Sequence, residues 1–198
     1  TINMKKNVTI FTSILAFMVL VAFTPIAVSD GYYAINTSES SVVWTAQKVT
    51  GGSHTGTVNL TEGGLQLDAG KIVGGKFTID MNTITTTDLD GSMAKKLIGH
   101  LNSEDFFAVE QHKTANLAII SMDGDMVKAN LTIKGITNEI SFPATVTVAD
   151  GVLTATAEIE VDRSKFDVRY GSDSFFDNLG NKAIDNMMKF TVTLKGKA

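Results

Sequence analysis

The chain contains no cysteine. That excludes disulfides, thiolate metal ligands and a lipid anchor on an N-terminal cysteine, so stability rests on packing alone. Histidine is scarce too, with His54, His100 and His112 the whole set, and none pairs at HxH or HExxH spacing. This argues against a bound transition metal. The nucleophile-elbow pattern is missing, because Gly51-x-Ser53 is followed by Thr55 where GxSxG requires glycine. Asp88-x-Asp90 and Asp177-Asn178-Leu179-Gly180-Asn181 lack the remaining ligands and the terminal glutamate of a calcium loop. No cofactor is expected. From Asp30 onward 15 basic residues face 21 acidic ones without a Lys/Arg cluster, which argues against nucleic acid and against anionic membrane surfaces.

What is present begins with a leader pattern. Met4-Lys5-Lys6 is a basic start, Val8 to Phe23 is almost wholly apolar, and Pro25-Ile26-Ala27-Val28-Ser29 ends in small residues. We read residues 1–29 as a signal peptide cleaved after Ser29, with Thr1 to Asn3 upstream of the initiator Met4. The rival is a membrane anchor, since the apolar run approaches the ~20 residues that span a bilayer. Residues 30–198 then make one domain, long enough to bury a core without disulfides.

That domain reads as strand almost throughout. Val42, Trp44 and Ala46 alternate with polar neighbours up to a Gly51-Gly52 turn. Gly56, Val58 and Leu60 follow, then Glu62-Gly63-Gly64 as a hairpin signal, then Leu65 and Leu67. Phe77, Ile79 and Met81 share a face. Ala115, Leu117 and Ile119 run to Asp123-Gly124, and Val127, Ala129, Leu131 and Ile133 alternate beyond it. Ile140 to Val148 is closed by Asp150-Gly151, and Leu153 to Val161 and Phe190 to Leu194 complete the pattern. Tight turns between such strands imply antiparallel neighbours, and alternation implies one wet and one dry face. About eight to ten strands fit an up-and-down barrel or a sandwich. Several dry-face positions are small: Ala46, Gly56, Ala115, Ala129, Ala144, Ala155 and Ala157. They suit a hollow interior and equally suit small-against-large packing.

Two segments break the alternation. In Thr87 to Val109, Met93, Leu97 and Leu101 fall at i, i+4 and i+8, which gives a helix with an apolar side. Asp88 or Asp90 is its expected N-cap, and Ser103 is expected to cap a second turn that delivers Phe106 and Phe107. Such an insert is either the lid of a barrel or the plug of a solid core. The other segment, Ser164 to Met188, is long, irregular and aromatic, a feature of functional loops. Two adjacent phenylalanines there, Phe175 and Phe176, imply something for them to cover. Before it, Arg163 and Arg169 interleave with Phe166 and Tyr170, either as an ion-pair corner or as a cationic rim for a polar head group.

A family resemblance rests on Tyr33-x-Ile35-Asn36, Val42-x-Trp44, Lys48 with His54-x-Gly56, the run His100 to Phe107, Leu131-Thr132-Ile133-Lys134-Gly135-Ile136-Thr137, and Asp162-Arg163-Ser164-Lys165-Phe166. Across essentially all of residues 30–198 the chain resembles the YceI-like family of secreted bacterial proteins. The resemblance implies an all-β, lipocalin-like antiparallel barrel of about eight strands with a helical insert. It also implies an apolar tunnel for a polyisoprenoid or other long-chain amphiphile, and a homodimer. No catalytic residue is carried over.

The expected tunnel wall is Trp44, Phe77, Ile79, Leu117, Ile119, Leu131, Ile133, Phe142, Ala157 and Ile159. Met93, Leu97, Leu101, Phe106 and Phe107 would close it. Phe166, Tyr170, Phe175 and Phe176 would extend the ligand contacts, with Arg163 and Arg169 as head-group rim. The reading is a periplasmic or secreted lipid-binding protein. Two rivals stand: an enzyme acting on a buried chain, with Asp80, His54 and Arg163 as its only titratable candidates, and a ligand-free protein with a solid β core.

Overall fold

The computed structural model describes residues 30–198, so the signal-peptide reading of residues 1–29 lies outside the described residues. The alternating segments become nine strands: β1 Gly31–Ile35, β2 Ser41–Gln47, β3 Ser53–Asp68, β4 Lys71–Asp80, β5 Thr114–Asp123, β6 Met126–Ile133, β7 Ile136–Ala149, β8 Val152–Asp162 and β9 Met187–Lys197. The insert supplies the one α-helix among the described residues, α1 Gly91–Asn102. No helix of these residues is long and apolar enough to cross a membrane.

The sheet is antiparallel and closes on itself. Around the wall the order is β3, β2, β9, β8, β7, β6, β5, β4, and β4 pairs back onto β3. β1 is the ninth strand, but it adds no wall position of its own. It pairs with Leu65 and Leu67 of β3 and with Gly196 and Lys197 of β9, whereas β2 pairs with residues 53–58 of β3 and 189–193 of β9. β1 and β2 therefore share one slot of an eight-position barrel, interrupted by the kink at 36–40. Asn36 N–H donates to Lys195 O, and Ser40 Oγ accepts from Lys195 N–H, which seals that kink to the wall.

Turn chemistry sets the registers. Three two-residue connections, Ala69-Gly70, Lys134-Gly135 and Asp150-Gly151, have both residues at positive φ, the geometry that matches the twist of a tight hairpin. The hairpin expected at Glu62-Gly63-Gly64 does not form, because β3 runs unbroken through it. Those glycines answer a packing demand. A Cβ on Gly63 would stand 2.5 Å from Phe77 Cδ1, and one on Gly64 would stand 1.9 Å from the Tyr32 hydroxyl. A bulge between Leu60 and Glu62 then switches which residues face inward, from Val58 and Leu60 to Leu65 and Leu67.

The two ends of the barrel differ. One end carries the short turns at 69–70, 124–125 and 150–151, the kink at 36–40 lying part-way along the wall. This end is filled by Tyr33, Leu67, Val148 and Leu153, all buried. The other end carries α1 with its following turn, the β6–β7 turn, the β2–β3 turn and the whole 163–186 loop. Among the described residues the long irregular segments are gathered there.

Candidate functional site

Between these ends the interior is hollow. A cavity of about 160 Å³ runs inside the barrel, and every strand from β2 to β9 contributes to its wall. A water needs ~10–15 Å³ on this scale, so the space equals on the order of ten waters. Apart from Thr156, an exposed position, every lining residue is apolar. The indole N–H of Trp44 is taken up by Thr85 O at 3.0 Å, which removes the last polar group the wall could have offered. An apolar void of this kind gives water nothing to bond to and favours an apolar guest.

The small dry-face residues make this space. Ala46, Ala115, Ala144, Ala155 and Ala157 all line it. Two others do not. Ala129 is fully buried away from it, and Gly56 lets Trp44 and the Thr85 carbonyl approach β3. Segment 85–87 bonds along β3 through Thr85 N–H to Thr57 O and Thr87 N–H to Thr55 O, continuing the wall where β4 has ended.

The structure brings together Trp44, Phe77, Ile79, Leu101, Phe106, Phe107, Leu117, Ile119, Leu131, Ile133, Phe142, Ala157 and Ile159 on that wall. Sequence reasoning missed Val42, Val58, Leu60, Met188 and Phe190, which alternation alone could have found, and Ile72, which a register shift puts out of phase with Phe77 and Ile79. Met93 and Leu97 do not reach the cavity. The first turn of α1 stands off the core, with Met93 64 % exposed, and Leu97 packs beside the core without lining the space.

The capping expectations also change. Asp90 occupies the N-cap of α1 without a side-chain bond. Asp88 instead accepts from Thr55 N–H and Thr86 Oγ1, and its Oδ2 lies 2.7 Å from His54 Nδ1. Burial opposes ionisation of Asp88, but the His54 contact and the two further bonds outweigh it and hold this carboxyl well below the usual carboxylate range. Ser103 both ends α1 and starts the expected second turn, but its side chain does not cap that turn. Its Oγ donates to His100 O at 2.7 Å, and its carbonyl accepts from Phe106 and Ala108 N–H. Phe107 N–H returns to Leu101 O. The chain thus folds back under the helix end and drives Phe106 and Phe107 into the barrel, their rings edge to face at 5.0 Å.

Arg163 is no head-group rim. It is 1 % exposed, and its guanidinium donates to four carbonyls: Asp185 through Nε, Val168 and Tyr170 through Nη1, and Ile184 through Nη2. Burial pulls its pKa down, opposed by the carboxylates of Asp162, Asp173 and Asp185. The fork gathers both arms of the 163–186 loop, and its Cζ sits 5.6 Å from the Phe106 ring centroid. Phe166 is buried beside this anchor and off the cavity.

Arg169 and Tyr170 lie outside, with Phe176, on a cleft shared with Glu104, Asp105, Lys134 and Asp167. Arg169 is ion-paired to Asp167 and covers the Phe175 ring at 5.2 Å. Phe175 and Phe176 cover nothing in the barrel, being 39 % and 49 % exposed. Of the titratable candidates for catalysis, Asp80 caps the 3-10 turn Met81–Thr83, His54 faces Asp88, and Arg163 is consumed by carbonyls. None of the three lines the cavity. Among the described residues no group of His, Asp and Glu could hold a metal ion.

A closed antiparallel barrel around a dry internal space, with its loops and one helix gathered at one end, is the architecture of lipocalin-like binding proteins. The YceI-like domain model matches residues 33–196, and the chain belongs to that family. BcnA of Burkholderia cenocepacia superposes with a TM-score of 0.65 at 19 % identity, over 81 % of this chain and 98 % of that one. A polyisoprenoid binding domain from Saccharophagus degradans, implicated in plant cell wall breakdown, also gives 0.65, at 14 % identity, over 86 % and 99 %. The YCEI protein of Campylobacter jejuni gives 0.54 at 13 % identity, over 71 % and 84 %. No protein of curated function matches the chain in sequence.

Proposed function

We propose that this protein is an exported carrier that sequesters a long-chain lipid, isoprenoid or fatty in character, inside its barrel. The observation that carries the reading is the cavity of about 160 Å³ with no titratable side chain on its wall. Such a wall binds by burial alone, and apolar area removed from water is worth about 25 cal/mol per Å² before association costs. The polyisoprenoid class is supported by the like-folded domain of Saccharophagus degradans. Export rests on the leader pattern of residues 4–29. With the three titratable candidates turned away from the cavity, the carrier reading is preferred to an enzyme.

The experiment is native mass spectrometry of protein purified from its own host, followed by organic extraction and titration of the emptied protein with a fluorescent fatty acid. A copurifying long-chain molecule and probe binding at micromolar affinity or better are expected. Extraction that yields nothing, together with a probe that does not bind, would overturn the proposal.

A further inference from the structure

The cavity has one end from which a chain could be handed over, and that end is unlike the rest of the surface. Six large apolar side chains are exposed on the elements that emerge there: Val49, Met93, Ile136, Tyr170, Phe175 and Phe176. Contacts between these elements join most of them into one crown. Val49 N–H donates to Ala183 O, and Ile184 N–H to Gly171 O, so the β2–β3 turn sits against the long loop. Tyr170 N–H donates to Asp105 O, and the Tyr170 ring meets His100 of α1 edge-on at 3.9 Å. Met93 lies on that same helix, about 10 Å along its axis from His100 at 1.5 Å per residue. Phe176 and Tyr170 share a cleft with Lys134, two residues before Ile136. Beneath the crown lies Phe106, a cavity wall residue held by the Arg163 anchor.

Charge sorts the same way. The segments that build this end, residues 48–52, 85–113, 134–135 and 163–186, hold nine basic and nine acidic residues. The rest of residues 30–198 holds six basic against twelve acidic. The crown is therefore electrically neutral and greasy, while the remaining surface repels anions. A protein receptor would be expected to supply a charge pattern, and an anionic bilayer a basic patch; neither has a counterpart here.

We propose that this crown docks on the surface of an electrically neutral, zwitterionic lipid bilayer, with Phe175, Phe176 and Met93 entering the interface, and that lipid passes between bilayer and cavity at this end. The proposal rests on the carrier reading given above. Half-exposed aromatic and aliphatic tips in the absence of a basic patch give attachment through apolar burial, which salt does not weaken.

The test uses residues 30–198, which hold all nine strands and the closed ladder. Vesicles of phosphatidylcholine are sedimented with this protein, with Phe175→Ser/Phe176→Ser, and with a control changed on the walls, Val73→Ser/Ile120→Ser. Binding to phosphatidylcholine that persists at high salt is expected. The loop variant should lose about tenfold or more, because two half-buried phenylalanines are together worth at least one decade in partitioning. The wall control should bind as the unaltered protein does. Absence of vesicle binding, equal losses in both variants, or binding confined to vesicles containing phosphatidylglycerol would each overturn the proposal. Fluorescent fatty-acid uptake in vesicle-free buffer is read in parallel. Uptake without docking removes the docking proposal alone, whereas docking without uptake supports the surface and removes the carrier reading.

Discussion

Phe107→Ala and Phe166→Ala remove the same side chain from two buried positions that differ in what surrounds them. Both rings are almost fully buried, but Phe107 lines the cavity and Phe166 does not. In a filled core, Phe→Ala costs ~3–5 kcal/mol, because the transfer loss is joined by the new void at about 24 cal/mol per Å³. That value applies to Phe166, for which about 4 kcal/mol is expected. At Phe107 the void already exists, and the ring face turned to it has no partners to lose. Only the lower end of the ~1.5–3 kcal/mol for burying an aromatic remains, with ~0.5 kcal/mol from the edge-to-face contact with Phe106. The sum is about 2 kcal/mol. At ~2–4 °C per kcal/mol for a domain of this size, Phe166→Ala should melt about 12 °C low and Phe107→Ala about 6 °C low. The lost function should show elsewhere, as fluorescent fatty-acid dissociation about tenfold faster for Phe107→Ala, since affinity changes within one site fall mostly on the off-rate. Scanning calorimetry and stopped-flow displacement measure the two quantities. Equal melting losses with unchanged dissociation from Phe107→Ala would refute the reasoning and make the insert a plug.

Arg163→Met should strip four carbonyls of their donor, and at ~1–3 kcal/mol for each one left buried without a partner it should destabilise by at least 3 kcal/mol in urea unfolding. The Asp88 carboxyl, depressed in the folded state, contributes stability above the ordinary aspartate pKa of ~3.9 and loses it as pH falls below that value. The melting difference between the unaltered protein and Asp88→Asn should therefore be constant near neutrality and shrink below about pH 4. Gly56→Ala would place a methyl 1.8 Å from the Thr85 carbonyl oxygen and should be far more destabilising than Gly74→Ala, which meets nothing closer than 4.0 Å; thermal melts of the pair decide it. The exported protein should start at Asp30, and an intact mass that retains Val8 to Phe23 would indicate an anchor instead.

How much of this was legible depends on what each residue type encodes. Alternation is a local property, so the inward faces of β2, β4, β5, β6, β7 and β8 could be read directly, and with them ten of the cavity residues, while the helical insert gave Leu101, Phe106 and Phe107. Glycine is ambiguous in sequence. Gly63-Gly64 looked like a turn because nothing local distinguishes a residue that must bend from one that must make room, and only the position of Phe77 and Tyr32 across the sheet does so. The apolar stripe of α1 was visible, but its depth was not, because the angle of a residue around a helix does not say how far the first turn reaches past the barrel. Arg163 misled for a related reason. A cation near aromatics suggests a charged partner, whereas its partners here are carbonyls from residues up to 22 positions away, which carry no sequence signature. The hollow itself could not be read, since small residues on a dry face serve a void and a tight interior alike.

The shared slot of β1 and β2 sets the order in which this protein can be completed. Ser41 pairs with Thr193, and Ile35 with Gly196, so the final seam joins the first strands to the last. A chain still emerging from the ribosome, or threading through a membrane, lacks β9 and is left with open edges on β2 and β8. Pairings this distant in sequence are slow to form, and the open edges would meanwhile invite association with other chains. Under the export proposed above, the delay is useful. The barrel cannot lock before β9 arrives, so a chain exported in that way stays threadable while it is in transit.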